Sequence, residues 1–562
     1  MRKKMLAKLV LGTIGVMSLG ICACGKTTVE DKQMSEENGT LVLESVSGTE
    51  NVPEREEDTV EMNVANEANK FGDAIKTLDG IAISNDKIST ENYKYVTCNN
   101  PVSSDFYCAD PTAVEYGGRL YLFGTNDHEQ FEIVGPNKDN SYEKIKSFVV
   151  LSTEDMVNWI YHGEINVGEI APWIINSWAP TITSRVEEDG LTHFYLYFSN
   201  NGLGVGVITA TSPLGPWSDP LGKPFISTGT PGLTNCPNPF DPGVVIDENG
   251  VGWLAFGAGK AENGTDYMPG SARIVKLGED MLSFASDFVE IPAPYLFEAS
   301  ELNYINGTYV YTYNTDWSSH GDHWEYECAV PSMCSMVYMT TKTPLDSSSW
   351  EMKGEYFKNP GLSGMDYSNN HTHLHKFNGE YYIFYHTLML KGGMGIKGSY
   401  RSLGVDAIEV DEETVMIERS KGTKQGISYV SSANPFEEHL AAELNNTAEI
   451  TYDTTNPAEP VVISGAAGSW IAVKNVEFTG SDETMADSLA FLGKVKGSGR
   501  IEIRLDKKDG ALLTSIDFDT TGEVQDIYND VVAQIGGKHD LYFVFSKAEV
   551  EFYSWKFMKV EE

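Results

Sequence analysis

Three acidic residues of this 562-residue chain stand in short, similar settings. They are Asp110 in Cys108-Ala-Asp-Pro-Thr112, Asp241 in Phe240-Asp-Pro-Gly243, and Glu298 in Phe297-Glu-Ala-Ser300. Three carboxyl groups brought into one pocket suit the hydrolysis of a glycosidic bond. One carboxyl protonates the leaving oxygen, while another activates water or attacks the sugar. A third, by like-charge repulsion, keeps the acid protonated near neutral pH. Taken singly, each has a plainer explanation, because Asp-Pro is a common turn starter and a Glu at a strand edge is usually just solvated. What sets the three apart is a shared position in a repeat.

From residue 93 to 430, short aromatic and β-branched runs alternate with Gly, Pro, Asn and Asp. A Gly followed by alternating aromatic and aliphatic residues occurs five times. The copies are Gly118-Arg-Leu-Tyr-Leu-Phe123, Gly190-Leu-Thr-His-Phe-Tyr-Leu-Tyr-Phe198, Gly250-Val-Gly-Trp-Leu-Ala-Phe256, Gly307-Thr-Tyr-Val-Tyr-Thr-Tyr313 and Gly379-Glu-Tyr-Tyr-Ile-Phe-Tyr385. Each reads as a hairpin with Gly in the turn. Five all-β units of this size predict a five-bladed β-propeller. The strand before each turn starts near Asp110, Trp178, Asp241, Glu298 and His371. Innermost propeller strands line a central axis, so five equivalent starts place three carboxylates, a Trp and a His around one cavity. Glu301 competes with Glu298 for the acid role. The two differ by an odd step, which on a regular strand puts them on opposite faces. In His371-Thr-His373-Leu-His375 the outer pair would be about 13 Å apart on a strand, too far to share one ion. Gly202-x-Gly204-x-Gly206 is followed by strand-like residues rather than a helix, so it is not a nucleotide loop.

These segments, with Ser177-Trp-Ala-Pro180 and Ser212-Pro-Leu-Gly-Pro-Trp217, resemble glycoside hydrolase family 43 over about residues 100–430. The resemblance implies a five-bladed propeller and inversion at the anomeric carbon. It implies Asp110 as general base, Glu298 as general acid, and Asp241 as the group that tunes and orients the acid. Inversion asks for base and acid carboxyls roughly 6.5–9.5 Å apart. His371 matches a His that the family keeps near the pocket axis beside calcium and waters, so it is read either as associated with calcium, structural or in the pocket, or as a purely structural His, and no organic cofactor is expected. Trp178 is expected as a pocket wall for the sugar and Arg401 as a second substrate contact. The activity implied first is an α-L-arabinofuranosidase on arabinoxylan or arabino-oligosaccharides, or a β-xylosidase. The alternatives are an endo-1,5-α-L-arabinanase, which needs an open groove, and a non-catalytic surface glycan-binding protein.

Residues 435–562 carry short, evenly spaced strands such as Trp470-Ile-Ala-Val473, Ile501-Glu-Ile-Arg-Leu505 and Asp540-Leu-Tyr-Phe-Val-Phe545, which predict a β-sandwich. With Gly468-Ser-Trp470 and Phe552-Tyr-Ser-Trp-Lys-Phe557 they resemble carbohydrate-binding module family 6, a jelly-roll. Val473 stands where that family often has Tyr, Val524 where an aromatic is common, and Ser554 where Asn is common. The module therefore binds sugar weakly at that cleft, binds through its other face, or only packs on the propeller.

The formal net charge is -40. It repels nucleic acid and anionic polysaccharide and is compatible with a neutral polymer such as plant cell-wall polysaccharide. At the N-terminus, Arg2, Lys3, Lys4 and Lys8 precede an apolar stretch over residues 9–21, too short for a spanning helix. Ile21-Cys-Ala-Cys24-Gly25 resembles a bacterial lipoprotein box, with Cys24 as the lipidated residue. Residues 1–24 thus read as a lipoprotein signal peptide, the alternative being an ordinary signal peptide cut nearby, and residues 25–92, with the acidic cluster Glu54, Glu56, Glu57 and Asp58, as a disordered linker. The expected location is the outer cell surface, with the membrane touched only through the lipid. Of the remaining cysteines, Cys98–Cys108 and Cys328–Cys334 are close enough in sequence to pair.

Overall fold

The computed structural model describes Lys94 and residues 97–560, apart from 395, 429–430, 480–487 and 532–533. The expected signal peptide, Cys24 and linker lie outside the described residues.

Residues 109–407 form five antiparallel sheets in chain order. The first contains β1 (Ala109–Tyr116), β2 (Arg119–Thr125), β3 (Ser147–Thr153) and β4 (Trp159–Asn166). The second contains β5 (Trp178–Val186), β6 (Thr192–Ser199), β7 (Gly204–Ala210) and β8 (Ile226–Ser227). The third contains β9 (Gly243–Ile246), β10 (Gly252–Phe256), β11 (Arg273–Lys276) and β12 (Val289–Glu290). The fourth contains β13 (Leu296–Ile305), β14 (Thr308–Thr315), β15 (Met336–Thr341) and β16 (Glu351–Phe357). The fifth contains β17 (Thr372–Phe377), β18 (Glu380–Thr387) and β19 (Ser402–Ala407). The first strand of each sheet neighbours the first strand of the next, and β17 returns to β1, so the ring closes as a five-bladed propeller.

The aromatic alternation in each second strand has a packing cause, because both faces of a blade are covered. On β6, Phe194, Leu196 and Phe198 join the apolar cluster shared with blade 1, while Tyr195 and Tyr197 join the cluster shared with blade 3. Three further clusters fill the gaps between blades 3 and 4, 4 and 5, and 5 and 1. All five repeat glycines sit in the turn between the first and second strands with φ between 76° and 90°. Only a residue without Cβ adopts that conformation freely.

The ring is fastened by distant segments. Residues 99–108 run beside β19: Val102 N–H donates to Leu403 O, Cys108 N–H to Arg401 O, and the Asn100 side chain bonds both main-chain groups of Val405. A short hairpin, β20 (Val410–Asp411) with β21 (Met416–Ile417), follows the last blade. β22 (His439–Leu440) then leads to β23 (Glu443–Leu444), which extends blade 1 by pairing with β4. The cysteines that are close enough in sequence to pair do not do so: all five described cysteines are free.

The C-terminal part is a two-sheet sandwich. One sheet has the order β25 (Ile450–Asp453), β26 (Val461–Ser464), β33 (Glu551–Lys559), β28 (Leu489–Lys496) and β31 (Gln525–Val531), with β22 also on β33. The other has the order β24 (Asn446–Ala448), β27 (Trp470–Glu477), β32 (Lys538–Phe545), β29 (Ser498–Leu505) and β30 (Leu512–Asp519). Val473 faces the core between the sheets with Phe491, Phe543 and Trp555. The outer face of the second sheet packs on the propeller, where Trp470, Ala472, Tyr542 and Val544 meet Tyr107, Leu390 and Tyr400. Polar contacts reinforce that junction. The Asn158 amide donates to Lys474 O and accepts from Lys474 N–H, and the Thr447 and Tyr452 hydroxyls both donate to Asp105.

Candidate active site

Four of the five inner strands begin with the same distortion. Asp110, Ala179, Asp241 and Ala299 all have positive φ, between 42° and 64°. In β1, β5 and β13 the pairing register shifts at that point, marking a bulge. Bulges re-aim side chains and gather at functional sites. Each distorted residue donates its N–H to a side chain of the preceding blade. Ala179 bonds Thr125 Oγ1, Asp241 bonds Ser199 Oγ, Ala299 bonds Asp241 Oδ2, and Asp110 bonds His386 Nδ1. The strand starts therefore do converge, with one correction to the expected equivalence. Trp178 and Glu298 precede the distorted residue by one, whereas Asp110 and Asp241 are the distorted residue itself.

The bulge also corrects the relation between Glu298 and Glu301. Glu298 lies opposite Asn314, and Glu301 opposite Thr312. Partners two apart on β14 face the same side, so the extra residue brings both glutamates onto one face. Depth distinguishes them instead. Glu301 is 2% exposed and bonded to His373 Nδ1, while Glu298 is only half-buried.

Asp110 is buried. The Arg401 guanidinium donates from Nη1 to Oδ1 at 2.9 Å and to Oδ2 at 3.1 Å, and His371 Nδ1 lies 3.5 Å from Oδ1. Burial pushes the Asp110 carboxyl up, but Arg401 and His371 outweigh it and hold the group well below the usual carboxylate range. The contact with Asp110, despite burial, raises His371 to about 9. Arg401, expected as a substrate contact, is bonded to two carboxylates. It is 3% exposed, and its Nε, Nη2 and backbone N–H all bond Asp127. Its remaining donor bonds hold Asp110.

Asp241 accepts from Ser199 Oγ at 3.1 Å and from Ala299 N–H at 2.9 Å, which ties it to the residue after Glu298. Burial, and then the charge of Asp110, push Asp241 up, against the opposing pull of His371. Glu298 accepts from Asn369 Nδ2 at 3.1 Å. Burial, followed by the charge of Asp241, raises it to about 7. Asp110 and Glu298 are linked through the frame. Asp110 N–H donates to His386 Nδ1, and His386 Nε2 donates to Asn369 O at 2.8 Å. A carbonyl only accepts, so Nε2 carries the proton and Nδ1 is left free to accept. Trp178 is half-buried, and its Nε1–H donates to Tyr142 O. The Tyr142 ring in turn lies 4.9 Å from the Arg401 guanidinium. Trp178 is therefore joined to Asp110 through Tyr142 and Arg401.

A directly ligated calcium does not fit the side chains around His371. Calcium takes six to eight oxygens, His371 is turned onto Asp110, and among the described residues no group of three or more His, Cys, Asp or Glu could hold a metal ion. His373 and His375 form a separate column: His373 Nε2 is 3.2 Å from His375 Nδ1, and His375 Nε2 is 3.5 Å from Glu115.

Residues 98–415 match the family model "Glycosyl hydrolases family 43". The chain belongs to that family. Residues 441–559 match "Carbohydrate binding module (family 6)". An arabinoxylan arabinofuranohydrolase of Bacillus subtilis is 34% identical over 82% of this chain and 91% of its own length. One from Paenibacillus polymyxa is 33% identical over 80% of this chain and 72% of its own length. A crystal structure of the Bacillus subtilis family 43 arabinoxylan arabinofuranohydrolase, in complex with cellotetraose, superposes with a TM-score of 0.75 at 32% identity. The match covers 84% of this chain and all of the other. The family 43 enzyme described here is a glycoside hydrolase. Asp127, Asn369, His386 and Tyr142 complete its site but had not been singled out from the sequence. The signals available were Asn126-Asp127 at the start of the helix Asp127–Val134 and the polar pair before His371.

Proposed function

We propose that this enzyme is an inverting α-L-arabinofuranosidase that removes arabinose from arabinoxylan. The observation that carries the reading is the division of labour between two carboxyls joined through His386 and Asn369: Asp110 is held ionised by Arg401, and Glu298 is held protonated near neutrality. In a single displacement, Asp110 takes a proton from water as the water oxygen bonds to the anomeric carbon. The bond to the leaving oxygen breaks as Glu298 delivers its proton there. Asp241 keeps the acid charged with its proton and fixes its backbone through Ala299 N–H. The two arabinoxylan arabinofuranohydrolases that the chain resembles over most of its length support the choice of sugar and polymer.

The test is release of nitrophenol from nitrophenyl α-L-arabinofuranoside and nitrophenyl β-D-xyloside. The parent should act on the arabinoside, and Glu298→Gln should lose about 10²–10⁴-fold in rate, the usual worth of a general acid. Equal activity in parent and variant overturns Glu298 as acid. Preference for the xyloside overturns the sugar. Activity on arabinan alone, by internal cleavage, overturns the exo-acting reading.

A further inference from the structure

The blade that carries Glu298 also carries exposed rings that no step of hydrolysis uses. Blade 4 carries Glu298 on β13, and two of its loops, from β14 to β15 and from β16 to β17, emerge at the same end as the pocket. Both present large apolar side chains to solvent: Trp317 and Met333 on the first, Leu362 and Tyr367 on the second.

Tyr367 is built as a fixed surface. A Cβ on Gly361 would fall 2.3 Å from Cγ, 2.4 Å from Cδ1 and 2.7 Å from Cδ2 of its ring. The ring therefore lies against the Gly361 backbone in space that any side chain would take, yet Tyr367 stays 46% exposed. Its segment is pinned at both ends. The Asn359 amide donates to Cys334 O and Ser368 O, and Asp366 lies 3.5 Å from Lys391 Nζ. Two residues after Tyr367, Asn369 donates to the Glu298 carboxyl.

We propose that Tyr367 forms a subsite for the main chain of a neutral polysaccharide, stacking on a pyranose face on the leaving-group side of the acid. This rests on the arabinofuranosidase reading. The general acid touches the leaving oxygen, so the remainder of the substrate begins on the side of Glu298, where these loops stand. Pyranose rings present apolar C–H faces that stack on aromatic rings without any charge partner. A chain of net charge -40 would repel an acidic polymer from the same surface.

Steady-state kinetics of the whole enzyme on two substrates test the subsite. Nitrophenyl α-L-arabinofuranoside has no main chain, whereas soluble arabinoxylan does. Tyr367→Ala should raise KM for arabinoxylan about tenfold, a loss on the scale of one good apolar contact, with the nitrophenyl reaction unchanged. Tyr367→Phe should behave as the parent, because the ring and not the hydroxyl is used. Gly361→Ala, which displaces the ring without removing it, should reproduce the arabinoxylan defect. An equal fall on both substrates overturns the subsite, since Tyr367 would then act through Asn369 on the acid. An unchanged KM for arabinoxylan in a parent that cleaves it overturns the subsite alone. A parent that cleaves the nitrophenyl arabinoside but not arabinoxylan overturns the polymer reading and the subsite with it.

Discussion

Asp110 and Glu298 are the same functional group held in opposite states by their neighbours. Asp110 is ionised above its depressed value, and Glu298 is protonated below about 7. Both are productive between those limits, so kcat/KM should fall as pH rises through about 7, and its acid limb should lie below the ordinary carboxylate range. The neighbours that set each limb can be removed separately. Arg401→Met takes away the charge that opposes burial at Asp110, so Asp110 rises and the acid limb moves to higher pH. Asp241→Asn takes away a negative charge beside Glu298, so Glu298 falls and the alkaline limb moves to lower pH. A pH profile of kcat/KM for both variants checks the pair, and a limb moving in the wrong direction refutes the assignment. The three carboxylates were legible because each stands at the start of a repeated strand. Asp127 was not, because its contact with Arg401 joins residues 274 positions apart. The error over Glu301 has a local cause: counting odd steps assumes a regular strand, and the bulge at Ala299 breaks that count.

At the scale of elements, the site depends on how closely β9 and β13 approach. A Cβ on Gly243 would fall 2.4 Å from Glu301 Cα and 2.8 Å from Leu302 N, both backbone atoms. Gly243→Ala must push the two strands apart, at about 1–3 kcal/mol for the overpacking. Asp241 precedes one strand and Glu298 lies on the other, so activity should fall with stability. Gly250→Ala is the matched control. Its φ is 76° and nothing lies within 4 Å, so it should cost about 1–2 kcal/mol of backbone strain and leave kcat unchanged. Calorimetry and kcat on both variants separate the effects, and retained activity in Gly243→Ala would show that the close approach does not place the carboxyls. The five hairpins were legible from Gly turns and aromatic alternation. The fastening of the ring was not. Residues 99–108 carry no strand pattern, and β23 is two residues long and pairs with a strand nearly three hundred positions earlier.

At the scale of the molecule, the sandwich is part of what holds Asp110, the proposed general base. Its outer sheet places Trp470, Tyr542 and Val544 against Tyr107, Leu390 and Tyr400, with Phe131 and Val134 at the edge. Phe131 and Val134 belong to the helix Asp127–Val134, whose first residue grips Arg401, and Tyr400 is the residue before Arg401. A continuous path of packed side chains thus runs from the module to Asp127, Arg401 and Asp110. Trp470→Ala opens a cavity at the start of that path, and burying less aromatic surface should cost about 3–5 kcal/mol. If propeller and sandwich unfold as one, the variant should lower a single melting transition. It should also shift the acid limb of kcat/KM upward, because Arg401 is held less firmly on Asp110. A merely appended module predicts something else: a separate early transition for the sandwich, with kcat/KM and its pH limbs those of the parent. Calorimetry together with the pH profile of Trp470→Ala distinguishes the two, and the second pattern would remove the module from the machinery of the site.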